Sequence, residues 1–396
     1  MKRNILFVLV SVILFAGCRK DPQDNPVEPT PVTQEEVFTY SIDSLSTMSL
    51  LDKVSQMVFV RGESLNKSLS SEELQNYTSH PLRYVTKVIR EGQEEYPAGG
   101  VVLFAHNLSS PYQLTELCKQ LHSLKDFPLI CIDEEGGTVA RIARHSAFEE
   151  TNFSSCYDIG NTGDNVTVAS AANYIGSYLY KYGIDVDFAP VADVFTNPFN
   201  TVIGKRSFSS DPEISADMAL AFYNALERNG IQGCYKHFPG HGDTSTDSHY
   251  GYAEATKTWE EMLECEIVPF KKGIDNGVSM IMTAHISAPR VTGGMTPATL
   301  SGTILTDKLR GELGFGGIII TDAMEMGAIS NQYGVPEACV LSVIAGADIV
   351  LMPLDYRAAI DAIVAAVNEG RITEERIDMS ARKILKLKEK TIARYL

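Results

Sequence analysis

Residues 129–137 read Leu-Ile-Cys-Ile-Asp-Glu-Glu-Gly-Gly. Four continuous apolar residues stop abruptly at a run of acids, and two glycines follow. An apolar run this short, with no alternation of polarity, fits a strand covered on both faces, as in a parallel sheet. The same design recurs along the chain. Residues 57–60, 101–104, 129–132, 186–190, 233–235, 280–283, 318–321 and 349–352 make eight such runs. Longer amphipathic stretches separate them. Residues 258–276 open on Thr258 as a cap, carry Glu260 and Glu261 in the first turn and stop at Gly277, which predicts one helix. Residues 211–228 start Asp-Pro-Glu, with proline at the first helical position. Near the C-terminus, Ile377, Ala381, Ile384 and Leu387 recur at helical spacing and predict a last helix docked on the body. Eight strands with helical crossovers predict an α/β fold, a (β/α)8 TIM-barrel-like single catalytic domain. The rival is a doubly wound open sheet. No GxGxxG or GxxxxGK[ST] opens a helix after any strand, which weakens its nucleotide-binding form.

In such barrels chemistry sits where strands end and loops begin. Asp133, Glu134 and Glu135 follow the third run, with Arg141 further on. Arg206 lies in the long loop after the fourth. The segment Lys-His-Phe-Pro-Gly-His-Gly-Asp-Thr-Ser-Thr-Asp-Ser-His (236–249) follows the fifth, His285 the sixth and Asp322 the seventh. Three of the chain's 8 histidines fall inside 236–249, where proline and glycine rule out a helical explanation. Each residue also has a bland reading. A lone strand-end Asp is commonly a cap, so Asp322 alone proves little, and Asp247 could cap a turn. His237 and His285 could be satisfied core residues, and Glu134 and Glu135 could be solvated. Convergence of so many polar groups on one barrel face shifts the balance toward a site.

Composition narrows the function classes. The chain has 396 residues, 44% hydrophobic and 21% charged, which excludes disorder as the main state. With 34 Lys+Arg against 50 Asp+Glu the net charge is −16, a poor match to a nucleic-acid backbone. Lys2 and Arg3 precede an apolar stretch, 5–17, too short for a bilayer of roughly 30 Å. That pattern reads as an export signal. It ends Leu-Phe-Ala-Gly-Cys at Cys18 and resembles a bacterial lipobox, although Phe15 stands where leucine is usual. Residues 21–36, DPQDNPVEPTPVTQEE, are rich in proline and acid and predict an extended tether. The expected organisation is a lipoprotein signal peptide over 1–17, the tether over 18–36 and the folded domain over 37–396. The protein is then exported and lipid-anchored through Cys18 to a bacterial membrane, on the periplasmic face or the cell surface. The other cysteines, Cys118, Cys131, Cys156, Cys234, Cys265 and Cys339, show no CxxC spacing and read as buried free thiols.

The strand-end motifs resemble glycoside hydrolase family 3, specifically its single-domain β-N-acetylglucosaminidase branch, the NagZ-like enzymes. The segment 236–249 is highly specific to that branch. Ile-Asp-Glu-Glu-Gly-Gly (132–137), Asp-Phe-Ala-Pro-Val-Ala-Asp-Val (187–194), Val-Ile-Gly-Lys-Arg-Ser-Phe (202–208) and GFGGIIITDAMEM (314–326) match in order and spacing. The resemblance runs from about residue 45 to the C-terminus. It implies that Asp322 holds the nucleophile position, His249 the acid/base position and Asp247 that of its partner carboxylate. It also implies that Asp133, Arg141, Arg206, Lys236 and His237 bind sugar. Many family members carry a second sandwich domain that often supplies a carboxylate acid/base; this chain ends too soon for one, which agrees with a histidine in that role. Two positions depart from the usual pattern: Glu134 stands where glutamine is frequent, and Ala323 where aspartate is, leaving the local support of Asp322 open.

The chemistry suits these groups. Cleaving a glycosidic bond needs a nucleophile under the anomeric carbon and a proton for the departing oxygen. Asp, with an ordinary pKa of about 3.9, is ionised at neutral pH. Histidine, at about 6.5, can give and retake a proton, and a paired Asp247 would orient it. The expectation is an exo-acting, retaining β-N-acetylglucosaminidase. It acts as a monomer on a carbohydrate with terminal N-acetylglucosamine, from peptidoglycan fragments or other glycans, and needs no cofactor, metal or nucleic acid. Three rivals remain. A phosphorylase would use the same site, with phosphate attacking the glycosyl-enzyme. A zinc hydrolase would draw ligands from His237, His241, Asp243, His249, His285 and Asp322, but lacks the HxH expected on strand one. The third is a catalytically dead sugar-binding lipoprotein. Trp259, the chain's 1 tryptophan, sits inside a predicted helix and reads as core rather than as a sugar platform.

Overall fold

The computed structural model describes residues 42–244 and 253–395. The apolar runs fold as short parallel strands: β1 (Val58–Arg61), β2 (Gly100–Val102), β3 (Leu129–Ile132), β4 (Val186–Asp187), β5 (Gln232–Gly233), β6 (Tyr235–Phe238), β7 (Met280–Thr283), β8 (Ile318–Ile320) and β9 (Val350–Leu351). Every residue in them is buried, as continuous apolar runs require when helices cover a sheet. The order β9-β1-β2-β3-β4-β5 forms one six-stranded sheet, and β8-β7-β6 forms a second. Both are parallel throughout. Isolated parallel bridges, Val191↔Lys236 and Ile320↔Ile349, run between the two sheets. The architecture is α/β with a parallel half-barrel sheet, and the continuous eight-strand ladder expected from the sequence is divided.

The division has a local cause. Pro190 has no N–H to give a ladder. The fourth run therefore pairs regularly only over β4, yet its later carbonyls still accept, Ala189 from the Cys234 amide at 2.7 Å and Pro190 from Lys236 at 3.2 Å. The fifth run correspondingly splits into β5 and β6 around Cys234.

Helices cover the strands much as the caps predict. Asp211 caps the helix Pro212–Arg228, its carboxylate accepting from the Glu213 and Ile214 amides at 2.9 and 3.0 Å. Thr258 caps its helix with a capping box, but the single helix expected over 258–276 is two, Trp259–Leu263 and Val268–Asp275. Pro269 explains the break, since its ring would clash with the Cys265 carbonyl in a continuous helix. The last helix, Glu374–Ile392, buries Ile377, Ala381, Ile384 and Leu387 as expected. One large core joins strand residues such as Ile130, Ile281 and Ile319 to helix residues such as Leu179, Phe222 and Ile360. Trp259 lies in it, 4% exposed, with its indole N–H donating to Glu312 at 2.6 Å. The six described cysteines are free; five are buried, and Cys265, at the helix break, is partly exposed, contrary to expectation. No described helix is long and apolar enough to cross a membrane.

Because neighbouring strands are parallel, their C-terminal ends share one edge of the sheet. Asp133 follows β3, Lys236 and His237 lie in β6, Asp322 lies just beyond β8 with Thr321 between them, and Met352 follows β9.

Candidate active site

A cavity of about 310 Å³ opens at these strand ends. Asp133, Arg141, Arg206, Lys236, His237 and Asp322 all line it. Tertiary structure thus brings together six of the eight residues singled out for catalysis and sugar binding. Asp247 and His249 lie outside the described residues, as does Cys18.

The polar side of the cavity is an ionic lattice. Lys236 donates to Asp133 at 2.9 Å and pairs with Glu135 at 2.5 Å. Arg141 reaches the other Asp133 oxygen at 3.3 Å. Arg206 grips Glu135 through two bonds, 2.9 Å from Nε and 2.7 Å from Nη2. Burial alone would neutralise these groups. Burial opposes the Asp133 charge, but Lys236 and Arg141 hold its carboxyl well below the usual range. Burial likewise opposes Lys236, and Asp133 and Glu135 keep it protonated, well above the usual lysine range. The result is a set of fixed charges that can donate to, and accept from, several hydroxyls on one ring.

Glu134 and Glu135 are not solvated, as the bland reading had it: both are buried. Glu135 is the central anion of the lattice, a function that strand-end reasoning missed. Glu134 does a different job. Its carboxylate accepts from the Arg141, Ile142 and Ala143 amides at 2.6, 2.9 and 2.9 Å, and from the Tyr178 hydroxyl at 2.8 Å. Those bonds fold the segment after β3 back so that Arg141 returns to Asp133. The hairpin Glu134–Gly136/Val139–Ala140 makes the reversal. It needs glycine at Gly136, where φ is +86° and a Cβ would lie 1.9 Å from the Phe153 ring.

Asp193 is a second residue that the sequence reading left unassigned. It is buried and accepts from His237 Nδ1 at 2.7 Å, from the His237 amide at 3.2 Å and from the His241 amide at 2.6 Å. Its signal was the familiar one, an acid closing the fourth apolar segment. His237 itself lines the cavity, its Nε2 lying 3.5 Å from Arg206 Nη2. Asp193→Asn is expected to lower kcat/KM by about 10- to 100-fold, since a hydrogen bond to a charged group is worth about 1.5–3 kcal/mol. Steady-state kinetics at a temperature where both proteins stay folded would check it.

Asp322 faces this lattice across the cavity. Its Oδ1 accepts from the Ala323 amide at 2.7 Å, so the backbone supplies support that the alanine side chain cannot. Burial pushes its carboxyl up, but His285, His237, the Ala323 amide and Lys236 outweigh that and hold it below the ordinary range. The sign follows: the ionised form persists above its lowered pKa and is lost only as pH falls through it. Any acid limb of kcat/KM due to Asp322 is therefore expected below about 3.9, the usual Asp value. A pH profile with its acid midpoint well above that value, unchanged in His249→Ala, would contradict it.

His285 keeps its bland reading. It is buried, pairs with Thr299 Oγ1 at 2.8 Å and donates to the Ala323 carbonyl at 3.0 Å. His241 lines the cavity, bonds Thr244 Oγ1 at 2.7 Å, and burial lowers its pKa. His237, His241 and His285 are each committed to neighbours. Among the described residues no group of three or more His, Cys, Asp or Glu is arranged to hold a metal. The remaining wall is apolar, with Phe104, Met282, Met326, Leu351 and Met352.

Residues 49–387 match the model of the glycosyl hydrolase family 3 N terminal domain. The chain belongs to glycosyl hydrolase family 3. Among curated relatives of this family 3 chain, beta-hexosaminidase A of Pseudoalteromonas piscicida is 37% identical over 325 residues, covering 74% of the chain. The chain spans 54% of that relative's length. A beta-hexosaminidase of Nitrosomonas eutropha is 33% identical over 304 residues, covering 74% of the chain and 85% of the relative. Among solved structures, a glycoside hydrolase family 3 beta-N-acetylglucosaminidase from Paenibacillus sp. str. FPU-7 superposes with a TM-score of 0.76 at 36% identity. That match covers 87% of this family 3 chain and 63% of the other.

Proposed function

We propose that this protein is an exo-acting, retaining β-N-acetylglucosaminidase. One observation carries the reading: a carboxylate held ionised, Asp322, faces a lattice of Asp133, Lys236, Arg206 and His237 across a cavity of sugar size. The named relatives favour an N-acetylhexosamine as the sugar. The lattice binds the hydroxyls of the terminal ring, which blocks further extension and makes attack exo. Asp322 attacks the anomeric carbon, the bond to the leaving oxygen breaks and a glycosyl-Asp322 ester forms. The leaving oxygen takes a proton from His249, oriented by Asp247. Water then gives a proton back to the imidazole, attacks the same carbon and releases the carboxylate, so configuration is retained.

The finer parts of this reading extend further. The bridges Val191↔Lys236 and Ile320↔Ile349 support a closed (β/α)8 barrel. The N-terminal pattern supports export and anchoring through Cys18; the proposed enzyme acts as a monomer, with peptidoglycan fragments or other glycans as substrate. Release of a chromophore from an aryl β-N-acetylglucosaminide, with the anomer followed by NMR, tests the core claim. No release above the aryl β-glucoside background would sink it. Adding phosphate tests the second arm: accumulation of sugar 1-phosphate in place of free sugar would make the enzyme a phosphorylase.

A further inference from the structure

Against Phe104, which lines the cavity, lies a cation that the proposed chemistry does not use. Arg61 ends β1, and its side chain is 7% exposed. Its guanidinium lies on aromatic faces, 3.6 Å from the Tyr77 ring centroid and 4.6 Å from that of Phe104. Its Nη2 is ion-paired with Glu325, and its Nε and Nη1 are buried without a hydrogen-bond partner. A buried arginine with one carboxylate partner depends strongly on that partner. Glu325 is 264 residues away in sequence and three residues after Asp322.

The backbone of the turn that carries Asp322 is also tied to neighbouring strands. The Asp322 amide donates to Thr283 of β7 at 3.1 Å, Met324 to Leu351 of β9 at 2.8 Å and Glu325 to Met352 at 3.1 Å. Met352 adopts a φ of 48°, in the left-handed region that a non-glycine residue enters only under local constraint. The 322–326 turn therefore rests on β7 and β9. The Arg61–Glu325 pair reaches it from β1, braced by Phe104, which itself lines the cavity.

We infer that Arg61 is a positioning residue: through Glu325 it fixes the turn bearing Asp322, and with it the distance between nucleophile and sugar. The inference rests on Asp322 being the nucleophile. Misplacement by about 1 Å can cost on the order of 100-fold in rate. Arg61→Met keeps the bulk and removes the pair. Glu325→Gln, at a side chain 24% exposed, keeps the shape and supplies the answer if the first variant does not fold.

Each substitution is expected to lower kcat on an aryl N-acetylglucosaminide by about 10-fold or more, with KM changed less than about threefold. The double variant is expected to lose no more than the worse single one, because the two residues act as a unit. A folded variant whose kcat stays within about twofold of wild type overturns the inference, whatever its Tm; losses that multiply in the double variant do so too. Asp322→Asn run alongside separates the two claims. If it remains active, the nucleophile assignment fails. If it is inactive while Arg61→Met and Glu325→Gln are unimpaired, only the positioning role fails.

Discussion

Asp322→Asn is expected to cut turnover by about 10⁴-fold or more while the protein still binds sugar. Removal of a nucleophile forfeits the covalent route and leaves only binding and electrostatics. The amide is close to isosteric, and one side-chain oxygen can still accept from the Ala323 amide, so the turn should keep its shape. The ionic lattice lies across the cavity and does not depend on Asp322: Lys236 is paired to Asp133 and Glu135, and Arg206 to Glu135. Affinity for N-acetylglucosamine, measured calorimetrically, is therefore expected within about threefold of wild type, the scatter of most conservative contacts. Retention of more than about a hundredth of the wild-type kcat would place the nucleophile elsewhere.

His249→Ala should give a different signature, one that depends on the leaving group. A general acid contributes about 10²–10⁴-fold, and only where the departing oxygen needs its proton. Dinitrophenolate leaves unaided, whereas a sugar alkoxide does not. The variant is expected to lose about 10²-fold or more on a disaccharide of N-acetylglucosamine and far less on the dinitrophenyl glycoside. Breakdown of the glycosyl-enzyme also needs a base, so on the activated substrate the intermediate should accumulate and show a burst. Small nucleophiles such as azide, which need no base, should restore turnover. Equal losses on both substrates, without a burst, would remove His249 from the acid/base role. Asp247→Asn should follow the same pattern more weakly if it acts by steering the imidazole.

The order of strands and the residues at their ends were legible because a parallel strand covered on both faces must be continuously apolar and must end where polarity returns. That rule located Asp133 and Asp322 from local sequence alone, whereas Lys236 and His237, expected beyond the fifth strand, lie inside β6. Helix caps behaved the same way: Thr258 and Asp211 cap where their side chains predict. The rule failed where local patterns compete. Thr258 announced a helix that Pro269 cuts in two, and Pro190 ended ladder pairing in a segment that is still apolar.

Roles within the site were less legible. Asp133, Glu134 and Glu135 are consecutive acids, and nothing in their spacing says that Asp133 and Glu135 line the cavity and hold cations while Glu134 ties down a backbone. Those differences arise because the hairpin after β3 turns the three side chains toward different partners: Lys236 and Arg141, the 141–143 amides with Tyr178, and Arg206 with Lys236. The roles of Asp193 and Arg61 were illegible for a related reason, although Asp193 does close an apolar segment. Their partners, His237 and Glu325, lie 44 and 264 residues away, and no local pattern encodes such a pairing.

By itself, the sequence determined that this chain would build a parallel α/β core, because apolar continuity and turn chemistry are local properties. It also determined which polar types would crowd the strand ends. Only the tertiary structure decided which of those groups are charged and which are merely structural. Ionisation in a buried site depends on distances between residues far apart in the chain, and only folding sets those distances.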